Sequence, residues 1–279
     1  MTTTSAVSVG VADVRRDPNP AAELVTQALM NRLARSDSTS GEWTHVILSD
    51  YTGWMRSLEL EEPAPSASHE ADEQAAAPLQ TVAVVTARHS LLYSAAQGDD
   101  NLGKVYLSTA LPVLNTTSST RSLVALPGGR TAWLARETIA LRPFNDPYAR
   151  QPVSVITAYA RAFLNVPYLW GGTSDEGIDC SGFVQLCYRM GDYILPRDGD
   201  QQHDTLECSV KREEMREGDL VFFGSQQITH VAMALNDHEY IHAEGQNYNH
   251  VVINSFRAHD PHYYPRLDEI VWGIKRVII

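Results

Sequence analysis

Cys180 lies in the run Asp179-Cys180-Ser181-Gly182-Phe183-Val184-Gln185-Leu186-Cys187-Tyr188-Arg189-Met190-Gly191, whose spacing predicts a helix capped by Asp179 and stopped at Gly191. On that helix Cys180, Phe183, Val184 and Cys187 share one face. A thiol in the first turn meets the positive end of the helix dipole and a set of unpaired N–H groups, which favour thiolate over thiol. The same N–H groups are placed to hold the oxyanion of a tetrahedral intermediate. Burial as a small inert hydrophobe is the competing reading of Cys180, and it is the one given to Cys187 and Cys208.

A nucleophile of this kind needs a base. Residues 228–235 alternate as a strand that carries His230, Asn236-Asp237 signals a turn, and Tyr240-Ile241-His242-Ala243 returns as a second strand. A hairpin centred on Asn236 sets 234 opposite 238, 232 opposite 240 and His230 opposite His242, while Val231 and Ile241 pair on the other face. One imidazole then acts as base toward the thiol and the second orients it, as in cysteine hydrolases.

Other elements must hold these groups in place. Ile156, Tyr159, Ala160, Phe163 and Leu164 fall at helical spacing before Asn165-Val166-Pro167 ends the helix. Upstream, residues 5–9, 42–48, 53–55, 81–85, 104–107, 122–126 and 130–134 read as short strands. Turn clusters at Asp17-Pro18-Asn19-Pro20 and Asp37-Ser38-Thr39-Ser40-Gly41 separate the first of them. Residues 63–79 are rich in Pro, Ala, Ser and acidic side chains and read as a linker or long loop. Thr52-Gly53-Trp54-Met55 followed by Leu58-Glu59-Leu60 is echoed by Thr131-Ala132-Trp133-Leu134 followed by Ile139-Ala140-Leu141. This repeat resembles the closing strands of bacterial SH3-like (SH3b) barrels.

Five motifs in order complete a second resemblance: Tyr168-Leu169-Trp170-Gly171-Gly172, Asp179-Cys180-Ser181-Gly182-Phe183-Val184-Gln185, Gly218-Asp219-Leu220-Val221-Phe222-Phe223, Thr229-His230-Val231-Ala232-Met233 and Ile241-His242-Ala243. Together they are similar to the NlpC/P60 family of papain-like cysteine peptidases, which cleave the peptide stems of peptidoglycan. The resemblance implies an α+β chain: an SH3b-like barrel over 1–62, the linker over 63–79, a second barrel over 80–145 and an NlpC/P60 catalytic domain over 150–279. It places the nucleophile on Cys180, the base on His230 and the third polar residue on His242. With two SH3b-like units ahead of the catalytic domain, the chain resembles more narrowly the γ-D-glutamyl-L-diamino acid endopeptidases of the dipeptidyl-peptidase VI type. These act on murein peptides with a free N-terminal L-Ala. That likeness implies that Asp179, with Tyr168 and Ser181, contacts the substrate ammonium, that Asp198 in Leu195-Pro196-Arg197-Asp198 is a second carboxylate for it, and that Tyr51 closes the pocket. Asp179 as a plain helix cap and Tyr51 as simple barrel packing are the structural alternatives.

Composition narrows the remaining classes. The chain has 279 residues, 43% hydrophobic and 20% charged, which supports ordinary globular cores rather than wholesale disorder. Its 22 Lys and Arg against 34 Asp and Glu give a formal charge of -12, so nucleic acid and anionic membranes are not expected partners. Three cysteines do not make a disulfide framework. Cys180, His230 and His242 are acceptable zinc ligand types, but no CxxC or HxxxH spacing links the three, so neither metal nor cofactor is expected. His203, His238, His250, His259 and His262 read as surface or loop residues. Residues 1–7 have neither the basic segment nor the apolar run of a signal peptide, and no stretch reaches the ~18–20 apolar residues of a membrane span. The expectation is a cytoplasmic enzyme of murein peptide recycling. An amidase or acyltransferase using the same thioester, or a non-catalytic wall-binding SH3b protein, are the rival functions.

Overall fold

The computed structural model describes residues 3–65 and 80–278. Most of the expected linker, residues 66–79, lies outside the described residues. The chain divides into two compact units, Met1–Pro147 and Tyr148–Ile279.

The first unit is built of strands. β1 (Thr3–Val7), β2 (Val11–Arg15), β3 (Leu24–Leu29), β4 (Leu33–Ser40), β5 (Trp43–Ile47), β6 (Thr52–Arg56) and β7 (Leu60–Glu61) form one antiparallel sheet in the order β3-β2-β6-β5-β4-β1-β7. A second sheet follows with β8 (Thr81–Val85), β9 (His89–Tyr93), β10 (Asn101–Tyr106), β11 (Ala110–Asn115), β12 (Arg121–Ala125), β13 (Thr131–Ala135) and β14 (Ile139–Pro143). Its order, β10-β9-β13-β12-β11-β8-β14, is the first order shifted by seven strands. The two segments that echo each other in sequence occupy the same place in the two sheets. Each crosses from the penultimate to the last strand through one turn of 3-10 helix, Ser57–Glu59 and Arg136–Thr138.

Alternation along the strands builds the apolar interior. In β2 Ala12 and Val14 point inward, in β6 Gly53 and Met55 do, and in β13 Ala132 and Leu134 do. Val7, Val14, Val46 and Met55 sit in the first cluster, and Val85, Leu92, Leu111, Val124 and Leu134 in the second. Met30, from the first sheet's side, packs in the second cluster, while Asn31 donates to the Ala110 carbonyl at 3.0 Å and Arg130 to the Ser8 carbonyl at 2.9 Å. These cross-links join both sheets into one unit.

One expected turn is a strand. Asp37 to Ser40 belong to β4, with Thr39 opposite Thr44 and Ser40 opposite Trp43, and the reversal comes at Gly41, with φ +59°. A bulge between Ser36 and Ser38 absorbs the polar run, whose side chains face mostly outward while the backbone keeps its ladder.

The second unit has helices packed on a sheet. α1 (Val153–Ala162), the short hairpin β15 (Thr173–Ser174) and β16 (Gly177–Ile178), α2 (Cys180–Arg189) and α3 (Gly199–Thr205) precede most of the strands. β17 (Ser209–Val210), β18 (Leu220–Phe223), β19 (His230–Ala234), β20 (Glu239–Glu244), β21 (His250–Ser255) and β22 (Val271–Lys275), with α4 (Pro265–Glu269) ahead of β22, complete the unit. The six strands run in the antiparallel order β17-β22-β18-β19-β20-β21. α2 packs against β19 and β20, and its Phe183 ring lies 6.1 Å from that of Phe163 just beyond α1. Among the described residues no helix is long and apolar enough to cross a membrane.

Candidate active site

α2 begins at Cys180 as its spacing requires. Asp179 has extended dihedrals and its Oδ1 accepts from the Gly182 N–H at 2.7 Å, a cap worth ~1 kcal/mol. Gly171, with φ +77°, turns its own N–H onto Asp179 Oδ2 at 2.9 Å, a conformation that suits glycine. The Tyr168-Leu169-Trp170-Gly171-Gly172 motif is thereby tied to the start of α2.

The Asp179 carboxylate has a further partner that its sequence position did not announce. Arg197 is 2% exposed, and its two terminal nitrogens donate to Asp179 at 3.1 and 2.5 Å and to Ser181 Oγ at 2.9 Å. Burial opposes the charge on Arg197, but the Asp179 carboxylate outweighs it and holds the guanidinium above its usual pKa. Asp179 is therefore a helix cap and half of a buried ion pair at once. Ser181 is buried between the two, and Gln202 on α3 donates to its carbonyl at 3.0 Å.

Cys180 keeps partial exposure, whereas Cys187 is buried on the same helix and Cys208 is half-exposed outside it. The backbone amides of Ser181 and Val231 are close enough to the Cys180 sulfur to favour its thiolate. Val231 adjoins His230, so the thiol sits at the start of the strand that carries the base candidate. The helix-dipole argument alone predicts a depressed thiol. In the structure burial, followed by the neighbouring Asp179 carboxylate, pushes it up to about 12, against the opposing pull of the Val231 N–H, Arg197 and the Ser181 N–H. Desolvation wins because the first turn is enclosed, so in this resting arrangement the thiol stays protonated until a base receives its proton.

The hairpin register differs from the expected one. Met233 pairs with Ile241 and Ala234 with Tyr240, two residues out from the pairing centred on Asn236. The cause is an Asx turn: Asn236 Oδ1 accepts from the N–H groups of His238 and Glu239 at 2.9 and 2.7 Å, which lengthens the loop. His242 is thus diagonal to His230 rather than opposite it. A slip of two residues preserves the face, and the rings meet across the diagonal with centroids 4.9 Å apart and His230 Nε2 2.7 Å from His242 Nδ1. His242 is fully buried, with its Nε2 2.8 Å from Asn254 Oδ1. Burial lowers the His242 pKa to about 4, and burial followed by repulsion from His242 lowers that of His230 well below its ordinary value. Both rings are neutral near neutral pH. With both of its nitrogens in hydrogen bonds, His242 has no lone pair to offer a metal.

Tyr168 is half-buried near Cys180 and Asp179. A Cβ on Gly245 would fall 2.5 Å from its ring, so the bare glycine backbone is the surface on which that ring rests. Burial, followed by the fields of Cys180 and Asp179, raises the phenol's pKa. Asp198 stands half-buried at the N-terminal boundary of α3 without capping it through its side chain, and its charge supports Arg197. Tyr51 belongs to the other unit, where it packs against the first apolar cluster. Arg197 and Asn254 are the site residues that sequence reasoning passed over. The available signals were an arginine set between Pro196 and Asp198, and a lone Asn after Val251-Val252-Ile253 in a strand of β-branched residues.

Residues 165–268 match the model of the NlpC/P60 family, and residues 14–60 that of the bacterial dipeptidyl-peptidase Sh3 domain. A γ-D-glutamyl-L-lysine dipeptidyl-peptidase of Bacillus cereus is 30% identical over 79% of this chain and 67% of its own length. Its namesake from Bacillus subtilis is 26% identical over 78% and 71%. A crystal structure of an NlpC/P60 family protein from Bacillus cereus superposes with a TM-score of 0.82 at 23% identity, covering 99% of this chain and all of that one, and shares its fold. With its SH3 domain ahead of the Cys180 helix, the chain belongs to the NlpC/P60 family of cysteine peptidases.

Proposed function

We propose that this enzyme hydrolyses the γ-D-glutamyl to diamino-acid bond of murein stem peptides that carry a free N-terminal L-Ala. The observation that carries the reading is the thiol of Cys180 in the first turn of a helix, close to the amide next to His230, with His230 in turn hydrogen-bonded to His242. The names of the Bacillus relatives support the bond cleaved.

In this mechanism His230 takes the Cys180 proton and the thiolate attacks the γ-carbonyl of D-Glu. N–H groups at the start of α2 hold the oxyanion. The C–N bond then breaks as the His230 imidazolium protonates the leaving amine. Water, deprotonated by His230, cleaves the thioester, and the proton returns to sulfur. His242 orients His230 throughout. The ammonium end is assigned to Asp179, Ser181, Tyr168 and Asp198. Arg197 cancels one of the two carboxylates, so the group keeps a net charge of about -1 for the substrate cation. A peptidase that requires this free amine acts on stem fragments already detached from the glycan, which is a recycling role.

L-Ala-γ-D-Glu-meso-diaminopimelate and its N-acetylated form test the reading directly. The free peptide is expected to be cleaved and the blocked one at least ~100-fold more slowly in kcat/KM, with Cys180→Ala inactive on both. Equal cleavage of the two peptides removes the amine recognition, and turnover by Cys180→Ala removes the nucleophile.

A further inference from the structure

Asn254 on β21 is fully buried and closes a hydrogen-bonded chain that starts at His230. His230 Nε2 lies 2.7 Å from His242 Nδ1, His242 Nε2 2.8 Å from Asn254 Oδ1, and Asn254 Nδ2 donates to the His262 carbonyl at 3.0 Å and to Tyr248 Oη at 3.3 Å. The far end dictates the rest. A backbone carbonyl only accepts, so it draws the amide NH2 toward itself and turns Oδ1 to His242. That oxygen also only accepts, so His242 must carry its proton on Nε2. A neutral imidazole has one N–H, hence His242 Nδ1 is bare and takes the Nε2–H of His230. The lone pair of His230 is then on Nδ1, the nitrogen that its contact with His242 leaves open.

We infer that Asn254 is a positioning residue that sets the tautomer of both imidazoles and thereby makes His230 a base at Nδ1. This rests on the reading of Cys180 and His230 as nucleophile and base. The groups around His242 fit the assignment. His230 faces it from β19, Tyr240 lies on its own strand with ring centroids 5.2 Å apart, and Tyr248 stands behind Asn254. Glu244 is the charged group acting on it, and that carboxylate is held by the N–H groups of Gln246, Asn247 and Tyr248. A neutral amide behind His242 fixes the proton, and its pull toward a second one is outweighed by the burial of the ring. A carboxylate in the same place would stabilise the imidazolium. Its Nδ1–H would then donate to His230 Nε2, leaving His230 protonated at Nδ1 and unable to receive the thiol proton.

Asn254→Asp, nearly isosteric, is therefore expected to lower kcat at neutral pH and to recover as pH rises above the new His242 pKa. KM should stay within ~2-fold, because the change acts through the base and not on the substrate. Asn254→Ala should lose ~10–100-fold in kcat. The tautomer is also read without any substitution, from the imidazole 15N shifts of the wild-type chain, where His242 should be protonated at Nε2 and bare at Nδ1. A His242 protonated at Nδ1 alone, or an Asn254→Asp pH profile that superimposes on wild type, overturns the inference. Turnover by Cys180→Ala would instead remove the reading beneath it, and the His242 shifts would still decide what Asn254 does.

Discussion

In the N-terminal unit charge stays near water: the Arg16 and Glu23 side chains are 62% and 39% exposed, those of Arg130 and Glu61 51% and 39%, and even the more enclosed Arg32 and Asp50 keep 13% and 20%. The catalytic unit keeps exposed pairs too, such as Arg257 with Asp237, but it also buries charge, with Arg197 and Asp179 at 2% and 9% and Asp219 at 1% beneath Arg276. Exposed pairs add little to stability, whereas a buried pair costs desolvation and gives a fixed geometry in return. The first unit is therefore held by its apolar clusters and the second by apolar packing plus polar contacts of fixed direction. Within the second unit the two buried pairs also differ. Arg197 and Asp179 stand beside the thiol and modulate it, while Arg276 and Asp219 tie β22 to the turn before β18, where Asp219 also accepts the Arg216 N–H at 2.9 Å.

The largest effect is expected from Arg197→Leu. Removing one partner leaves Asp179 charged and buried, a loss of ~3–5 kcal/mol in denaturant unfolding. Because Arg197 opposes the upward push on the thiol, kcat/KM of the folded variant should fall as well. The double variant Asp179→Asn with Arg197→Leu should regain most of the stability, since no lone charge is left. An Arg197→Leu protein that unfolds like wild type would break the contrast between the units. Arg276→Leu comes next, at about 2 kcal/mol, because its guanidinium is partly solvated at 18% exposure and Asp219 keeps its backbone donor. Its kcat/KM should be unchanged, and a change would mean that this pair also reaches the site. Arg16→Ala in the first unit should stay within ~0.5 kcal/mol.

What was legible in the sequence was local. The α2 start, its Asp179 cap and the enrichment of β-branched residues in β8 depend on neighbours within a few positions, and they appear where spacing put them. The hairpin failed by two residues because its length was set by a side-chain hydrogen bond of Asn236, which strand alternation does not encode. Asp37 to Ser40 read as a turn by composition, yet the ladder to β5 overrode it. Arg197 and Asn254 were illegible for a different reason. Each is buried only because its partner, Asp179 at 18 residues' distance or His242 at 12, arrives through the fold. A family motif can flag such a position, but which atoms meet there is a tertiary fact.

An effect smaller than the loss of either buried pair separates the units by pH. His242 has a folded pKa of about 4 against an ordinary 6.5, so its burial as a neutral ring contributes stability that is present above 6.5 and is lost as pH falls toward 4. Glu59 in the first unit has the opposite sign. Burial, followed by the nearby Asp13 carboxylate, raises it to about 6 from 4.5, so its contribution is complete below 4.5 and is lost as pH rises through 6. Lowering the pH from 6.5 to about 5.5 should therefore weaken the catalytic unit by about 1 kcal/mol through His242. The same step should strengthen the N-terminal unit by less than that, because Glu59 is only partly buried. Amide hydrogen exchange of the full chain at the two pH values, corrected for intrinsic rates, resolves the units separately. Protection in β19 to β21 should fall while that in β2 and β6 holds or rises. Glu59→Gln should abolish the gain in the first unit and leave the loss in the second untouched, and parallel shifts in both units would show that the difference in buried charge does not govern their stability.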